Sequence, residues 1–172
     1  RIIENLSQAD ENSTVVIRTH GIKKEQLEKI QHSGLEFCNA TCPFVTKIHK
    51  IVSENSDEKT VVLIAGDASH PEVIGIRSYC KGESFVFKNA DELEKILRDN
   101  KNFVENRLIL VSQTTFSVSE WNKCVKKLKN LYTNATIFDT ICNATEERQE
   151  EAFEMSKTND AMVIVGGRTS SN

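Results

Sequence analysis

The chain has 172 residues, of which 38% are hydrophobic and 27% charged. That balance suits one ordinary domain or two small ones and excludes a disordered chain. A net charge of −3 and 6% aromatic residues supply neither a basic footprint nor a stacking platform, so no nucleic-acid partner is expected. No apolar run approaches the ~20 residues of a membrane span, so no membrane partner is expected either.

Short β-branched runs alternate with helical patterns along the chain. A strand is predicted over 14–18, then a helix over 24–31 with Leu27 and Ile30 inward. A strand at 35–38 leads to a helix over 43–54, with Phe44, Val45, Ile48, Ile51 and Val52 on one stripe. The strand at 61–65 precedes a short helix over 71–79, and the strand at 84–87 a helix over 91–98. A strand at 108–111 precedes a helix over 119–131, a strand at 136–138 a helix over 145–157, and a last strand is predicted at 161–165. Both prolines, Pro43 and Pro71, fall at helix starts, where a missing N–H costs nothing. Strands alternating with helices, several of them continuously apolar, predict a parallel-sheet α/β fold.

The cysteines stand at 38, 42, 80, 124 and 142. Their odd number, irregular spacing and lack of a C-x-x-C pair argue against a disulfide framework and a ribbon-type zinc site, so a reducing cytoplasm is expected. The chain opens on Arg1 without a charged-then-apolar leader, which reads as an excised fragment. Residues 35–42 and 137–145 form an internal repeat about a hundred residues apart. Each copy is a strand followed by a turn that carries a cysteine, Cys42 or Cys142, and then a helix. That period is domain-sized.

In parallel α/β sheets ligands bind beyond the carboxyl ends of the strands. The predicted strand ends carry Thr19-His20-Gly21, Asn39 to Cys42, Gly66 to Glu72, Ser112 to Thr115, Asp139 to Thr145, and Gly166 to Asn172. Small hydroxyl, amide, His and Cys side chains beside helix N-termini suit an anionic small molecule, most simply a phosphate ester. Cys42 and Cys142 begin helices, a place that favours a thiolate nucleophile or metal ligand. Each reads equally as a half-buried helix-start cysteine. Cys38, Cys80 and Cys124 read as packing residues, and His32 and His49 as surface residues. His20 and His70 are turn residues or anion ligands; Glu72 is a helix-dipole carboxylate or a general acid. Two readings stay open on the residues alone: a non-catalytic binding domain for a phosphorylated metabolite, and a thiol enzyme with Cys42 as nucleophile.

Six segments in register carry a more specific signal. They are Arg18-Thr19-His20-Gly21, Ala40-Thr41-Cys42-Pro43-Phe44-Val45, His70-Pro71-Glu72-Val73 and Gln113-Thr114-Thr115, followed by Ile141-Cys142-Asn143-Ala144-Thr145 with Arg148-Gln149, and Ser170-Ser171-Asn172. In order and spacing the chain resembles the LytB/IspH family of 4-hydroxy-3-methylbut-2-enyl diphosphate reductases, nearly end to end. The resemblance implies three similar α/β units about a pseudo-threefold axis. Here the first unit would be partial (1–42), the second complete (43–139) and the third partial (140–172).

The resemblance also implies a two-electron reductive removal of an allylic hydroxyl, giving isopentenyl and dimethylallyl diphosphate in the non-mevalonate (methylerythritol phosphate) pathway. Its cofactor would be a [4Fe–4S] cluster held by three cysteines, and its partner an electron donor such as ferredoxin or flavodoxin. Cys42 and Cys142 match two of those ligands; the third belongs to a Gly-Phe-Cys-x-Gly-Val type segment absent here. Glu72 matches the proton relay and Thr114 the hydroxyl that orients it. His20, His70, Gln113, Thr115, Thr145, Ser170, Ser171 and Asn172 match substrate-binding positions. Asn39 stands where many members have Asp and is read as a strand-end cap. The fragment alone is expected to be inactive.

Overall fold

A computed structural model describes residues 1–166. Strands β1 (Val15–Ile17) and β2 (Phe37–Asn39) form a two-stranded parallel sheet, joined by helix α1 (Lys24–Gln31). Helix α2 (Pro43–Asn55) leads into β3 (Thr60–Ala65), followed by α3 (Pro71–Ser78), β4 (Ser84–Phe87), α4 (Ala90–Asp99), β5 (Arg107–Ser112), α5 (Val118–Leu131), β6 (Thr136–Ile137) and α6 (Asn143–Thr158). Two short 3-10 turns, Leu6–Gln8 and Lys101–Glu105, were not anticipated from the sequence.

The larger sheet has the order β4-β3-β5-β6, with every pairing parallel. The connection from β3 leads outward to β4, and the chain then returns to the other side of β3 as β5. The order therefore reverses between β3 and β5, a switch point at whose carboxyl ends ligands bind in sheets of this kind. All six residues of β3 are buried. Alternation along the strands divides them between two cores. Val61, Leu63, Leu108 and Leu110 pack with Leu93, Leu97, Trp121 and Leu128 of α4 and α5. Val62, Ile64, Ile109 and Val111 pack with Ile48, Val52, Val73 and Ile76 of α2 and α3. Cover on both faces is why these strands read as continuous apolar runs rather than alternating ones.

Local chemistry sets the helix starts. Asn89 caps α4 by accepting from the N–H groups of Asp91 and Glu92, and Ser117 caps α5 by accepting from Glu120. Pro occupies the first turn of both α2 and α3.

Three expectations are corrected. Residues 161–165 form no strand, and Val163, Ile164 and Val165 are exposed; a strand needs a neighbour for its N–H and C=O groups, and no described strand pairs with this segment. His49 is not a surface residue but only 7% exposed, because it lies four residues after Val45 on the inward face of α2. Cys38 is exposed rather than packed, on a strand whose three residues are all exposed.

Candidate functional site

The candidate site is assembled from loops that follow the strands, centred on those after β3 and β5. After β3, His70 is the N-cap of α3, and its Nδ1 accepts the N–H of Glu72 at 3.2 Å. A backbone donor at Nδ1 leaves the proton of the neutral ring on Nε2. Burial pushes the His70 pKa down, against the upward pull of Glu72, so the neutral donor form is favoured. The His20 ring, from the loop after β1, meets it edge-on with centroids 5.2 Å apart.

Glu72 follows on the first turn of α3 and is 2% exposed. Its Oε1 accepts the N–H of Thr114 at 2.7 Å and its Oε2 accepts the Thr114 hydroxyl at 2.8 Å. Both carboxylate oxygens are thus fixed by one residue of the opposite loop. That loop is braced by Gln113, whose N–H donates to Ala65 and whose Oε1 accepts from Asp67 of the β3 loop. Its Nε2 donates to the Thr115 hydroxyl at 2.9 Å.

The two cysteines enter by equivalent routes. Cys42 is the N-cap of α2, and its N–H donates to the carbonyl of Thr19 at 2.9 Å. Cys142 is the N-cap of α6, and its N–H donates to the carbonyl of Thr114 at 2.9 Å. Before each cysteine an acidic or amide side chain closes the turn: Asn39 Oδ1 accepts from Thr41, and Asp139 Oδ1 accepts from the N–H of Ile141. The internal repeat is therefore a repeat of geometry. Asn39 does act as a strand-end cap. Both thiols are half-exposed, and Thr145 is buried in the first turn of α6.

A continuous path of contacts runs from Cys42 through Thr19, His20, His70, Glu72 and Thr114 to Cys142. It unites Cys42, Cys142, His20, His70, Glu72 and Thr114, with Gln113 and Thr115 bracing it. Ser170, Ser171 and Asn172 lie outside the described residues. Cys80 and Cys124 stand apart as packing groups: burial pushes both thiols up to about 11. Among the described residues no three His, Cys, Asp or Glu side chains gather as a metal ion requires. What the rim offers a metal is two thiols at helix starts.

Sequence reasoning missed three supports. Thr140 is buried, and its hydroxyl accepts from the N–H of Ser112 and donates to the Ser112 carbonyl, both at 2.8 Å. Gln149 fastens α6 to the turn after Thr115. His49 stacks on Tyr79 with centroids 4.3 Å apart. Its signal was helical spacing from Val45 and Val52; Thr140 carried none beyond its place before Cys142.

Gly21 shows how tightly the rim is packed. Its φ is +72°, and a Cβ there would lie 3.0 Å from His49 Cε1. Gly21→Ala is expected to cost at least the ~1–2 kcal/mol of a left-handed L-residue and to displace His20. A thermal melt, with phosphate-ester binding measured alongside, checks this: unchanged stability would contradict it.

The fold and the rim define the class: a parallel-sheet α/β protein with a buried carboxylate and two half-exposed thiols on the loops that follow its strands. A sequence model of the family described as LytB protein matches residues 2–172, and the chain belongs to that family. A 4-hydroxy-3-methylbut-2-enyl diphosphate reductase of Nitratiruptor sp. is 42% identical over 172 residues, covering 99% of this chain and 60% of the relative. One of Clostridium acetobutylicum is 41% identical over 170 residues, covering 99% of this chain and 26% of the relative. The solved E-1-hydroxy-2-methyl-but-2-enyl-4-diphosphate reductase of Plasmodium falciparum superposes with a TM-score of 0.84 at 30% identity, over 99% of this chain and 53% of that one. The chain thus spans between a quarter and about three fifths of the length of these relatives.

Proposed function

We propose that this chain supplies the substrate rim of a 4-hydroxy-3-methylbut-2-enyl diphosphate reductase. The reaction removes the allylic hydroxyl as water and yields isopentenyl and dimethylallyl diphosphate, consuming two electrons and two protons. The observation that carries this reading is the buried Glu72–Thr114 pair beside His70, on the same rim as Cys142.

His20 and the Nε2–H of His70 would hold the diphosphate by charge-assisted hydrogen bonds. Thr114 would orient the departing hydroxyl, and Glu72 would deliver the proton that lets it leave as water. Gln113 and Thr115 keep Thr114 in place, and Thr145, Ser170, Ser171 and Asn172 complete the substrate contacts. Cys42 and Cys142 would serve as two thiolate ligands of a [4Fe–4S] cluster. When bound, such a cluster supplies electrons and the Lewis acidity that weakens the C–O bond. A third ligand must come from a segment this sequence does not contain. An external electron donor such as ferredoxin or flavodoxin is required by the electron count.

Residues 43–139 read as one complete α/β unit, flanked by parts of two others at 1–42 and 140–172. Among the described residues no helix is long and apolar enough to cross a membrane. Five free cysteines fit a reducing cytoplasm.

The test is iron and sulfide content after anaerobic reconstitution. A longer protein containing this chain and the Gly-Phe-Cys segment is expected to hold about four irons per chain and to reduce the substrate, whereas residues 1–172 alone should do neither. An iron-free, well-folded longer protein that binds phosphate esters without turnover would replace this reading with that of a binding domain.

A further inference from the structure

The two cysteine-bearing helices carry, seven residues after each cysteine, a side chain that reaches the loop of the neighbouring strand. On α6 this is Gln149. Its carboxamide oxygen accepts the N–H of Val118 at 3.0 Å, and its amide nitrogen donates to the carbonyl of Phe116 at 3.1 Å. Residues 116–118 join Thr114 and Thr115 to α5. One side chain therefore fastens α6 to the loop that grips Glu72. On α2 the equivalent residue is His49, whose ring packs against Gly21 in the loop that carries His20.

The helices differ in what else holds them. α2 buries Val45, Ile48, His49 and Val52. α6 buries Thr145 alone among its residues. Apolar packing within the helix anchors Cys42. Cys142 has the partly buried Ile141 beside it, and is otherwise held by polar ties: its own N–H to Thr114, Thr140 to Ser112, and the Gln149 clamp.

We infer that Gln149 is a positioning residue that holds Cys142 in register with Thr114, and through it with Glu72. It is the polar counterpart of His49 in the repeat. Without the clamp α6 pivots about its first turn, and the Cys142–Thr114 hydrogen bond opens more often. The importance of that register for catalysis rests on the reductase reading; the clamp itself does not.

Amide hydrogen exchange on the 172-residue chain tests the clamp directly. Gln149→Met keeps the side-chain length and deletes both bonds. Exchange at Val118 and Cys142 is expected to accelerate about tenfold, the effect of losing one to two net hydrogen bonds on a local opening. The Cys42 amide, bonded to Thr19, should keep its rate. Alkylation of the Cys142 thiol should rise relative to that of Cys42 in the same sense. Val118→Pro removes the donor from the other side. Val118 is the first residue of α5, where Pro is tolerated, and Ser117 already holds the extended φ −66°, ψ 123° that precedes a proline. It should loosen Cys142 in the same direction, by less. Unchanged exchange at Cys142 in both variants overturns the inference, and so does equal loosening at Cys42 and Cys142, which marks a global effect. Failure of the reductase reading would show instead as an iron-free longer protein and would leave these rates untouched.

Discussion

Replacing Glu72 by Gln in a longer, iron-loaded protein containing this chain is expected to lower turnover by about 10²–10⁴-fold, the usual contribution of a positioned proton donor. The fold should survive. A Gln side chain can still accept the Thr114 N–H through its oxygen, and its amide can donate to the Thr114 hydroxyl, which reverses its role. Both present hydrogen bonds, at 2.7 and 2.8 Å, thus have neutral equivalents. The loss should fall on kcat rather than KM, since the diphosphate contacts proposed above, His20 and His70, are other residues. Iron content and melting temperature, measured on the same sample, separate this from collapse of the site. Turnover within tenfold of the parent would remove Glu72 from the proton path.

The second large effect concerns acid stability. Burial pushes the His49 pKa from 6.5 down to about 4. Its Nε2 is buried without a hydrogen-bond partner, so no acceptor waits at that nitrogen to stabilise the charged ring. The folded protein keeps His49 neutral, while the unfolded chain takes up a proton near 6.5. Stability is therefore complete above that value and declines as the pH falls toward 4, by roughly 3 kcal/mol. His70, also shifted downward by burial, adds in the same direction. His49→Phe keeps a ring in the slot between Gly21 and Gly75 and removes the titration. Denaturant unfolding between pH 7 and 4 should show a flatter acid limb in the variant. Parallel curves would mean that another group governs the decline.

Much of the larger sheet was legible because its residues obey local rules. The 84–87 strand was placed at its observed bounds, and 61–65 fell one residue short. The helices at 24–31 and 43–54 agree to within a residue, since Pro43 and amphipathic spacing mark their limits. Residues 161–165 were misread because an apolar β-branched run says that a strand can form, not that a neighbour exists to pair with it. His49 was misread because residue type was weighed above its position between Val45 and Val52. Of the site, the candidate positions on the loops were visible, but their connections were not. The repeat announced that the Asn39 and Asp139 turns are alike, but nothing in a sequence shows that Thr114 spends both its donors on Glu72. Gln149, beside Arg148 in the segment after Cys142, carries no sign of its role, because its partners are backbone groups, which no sequence distinguishes.

The uniformly parallel pairing has a kinetic consequence. No two neighbouring strands of the larger sheet can be closed by a hairpin; each ladder joins strands separated by at least one helix, and β3 and β5 are separated by α3, β4 and α4. Non-local ladders of this kind place folding toward the slow end for domains of this size. The rim joins residues from positions 20 to 142 and exists only after the last of these closures. During synthesis Cys42 therefore emerges a hundred residues before Cys142, and the two come onto one rim only once the larger sheet is closed.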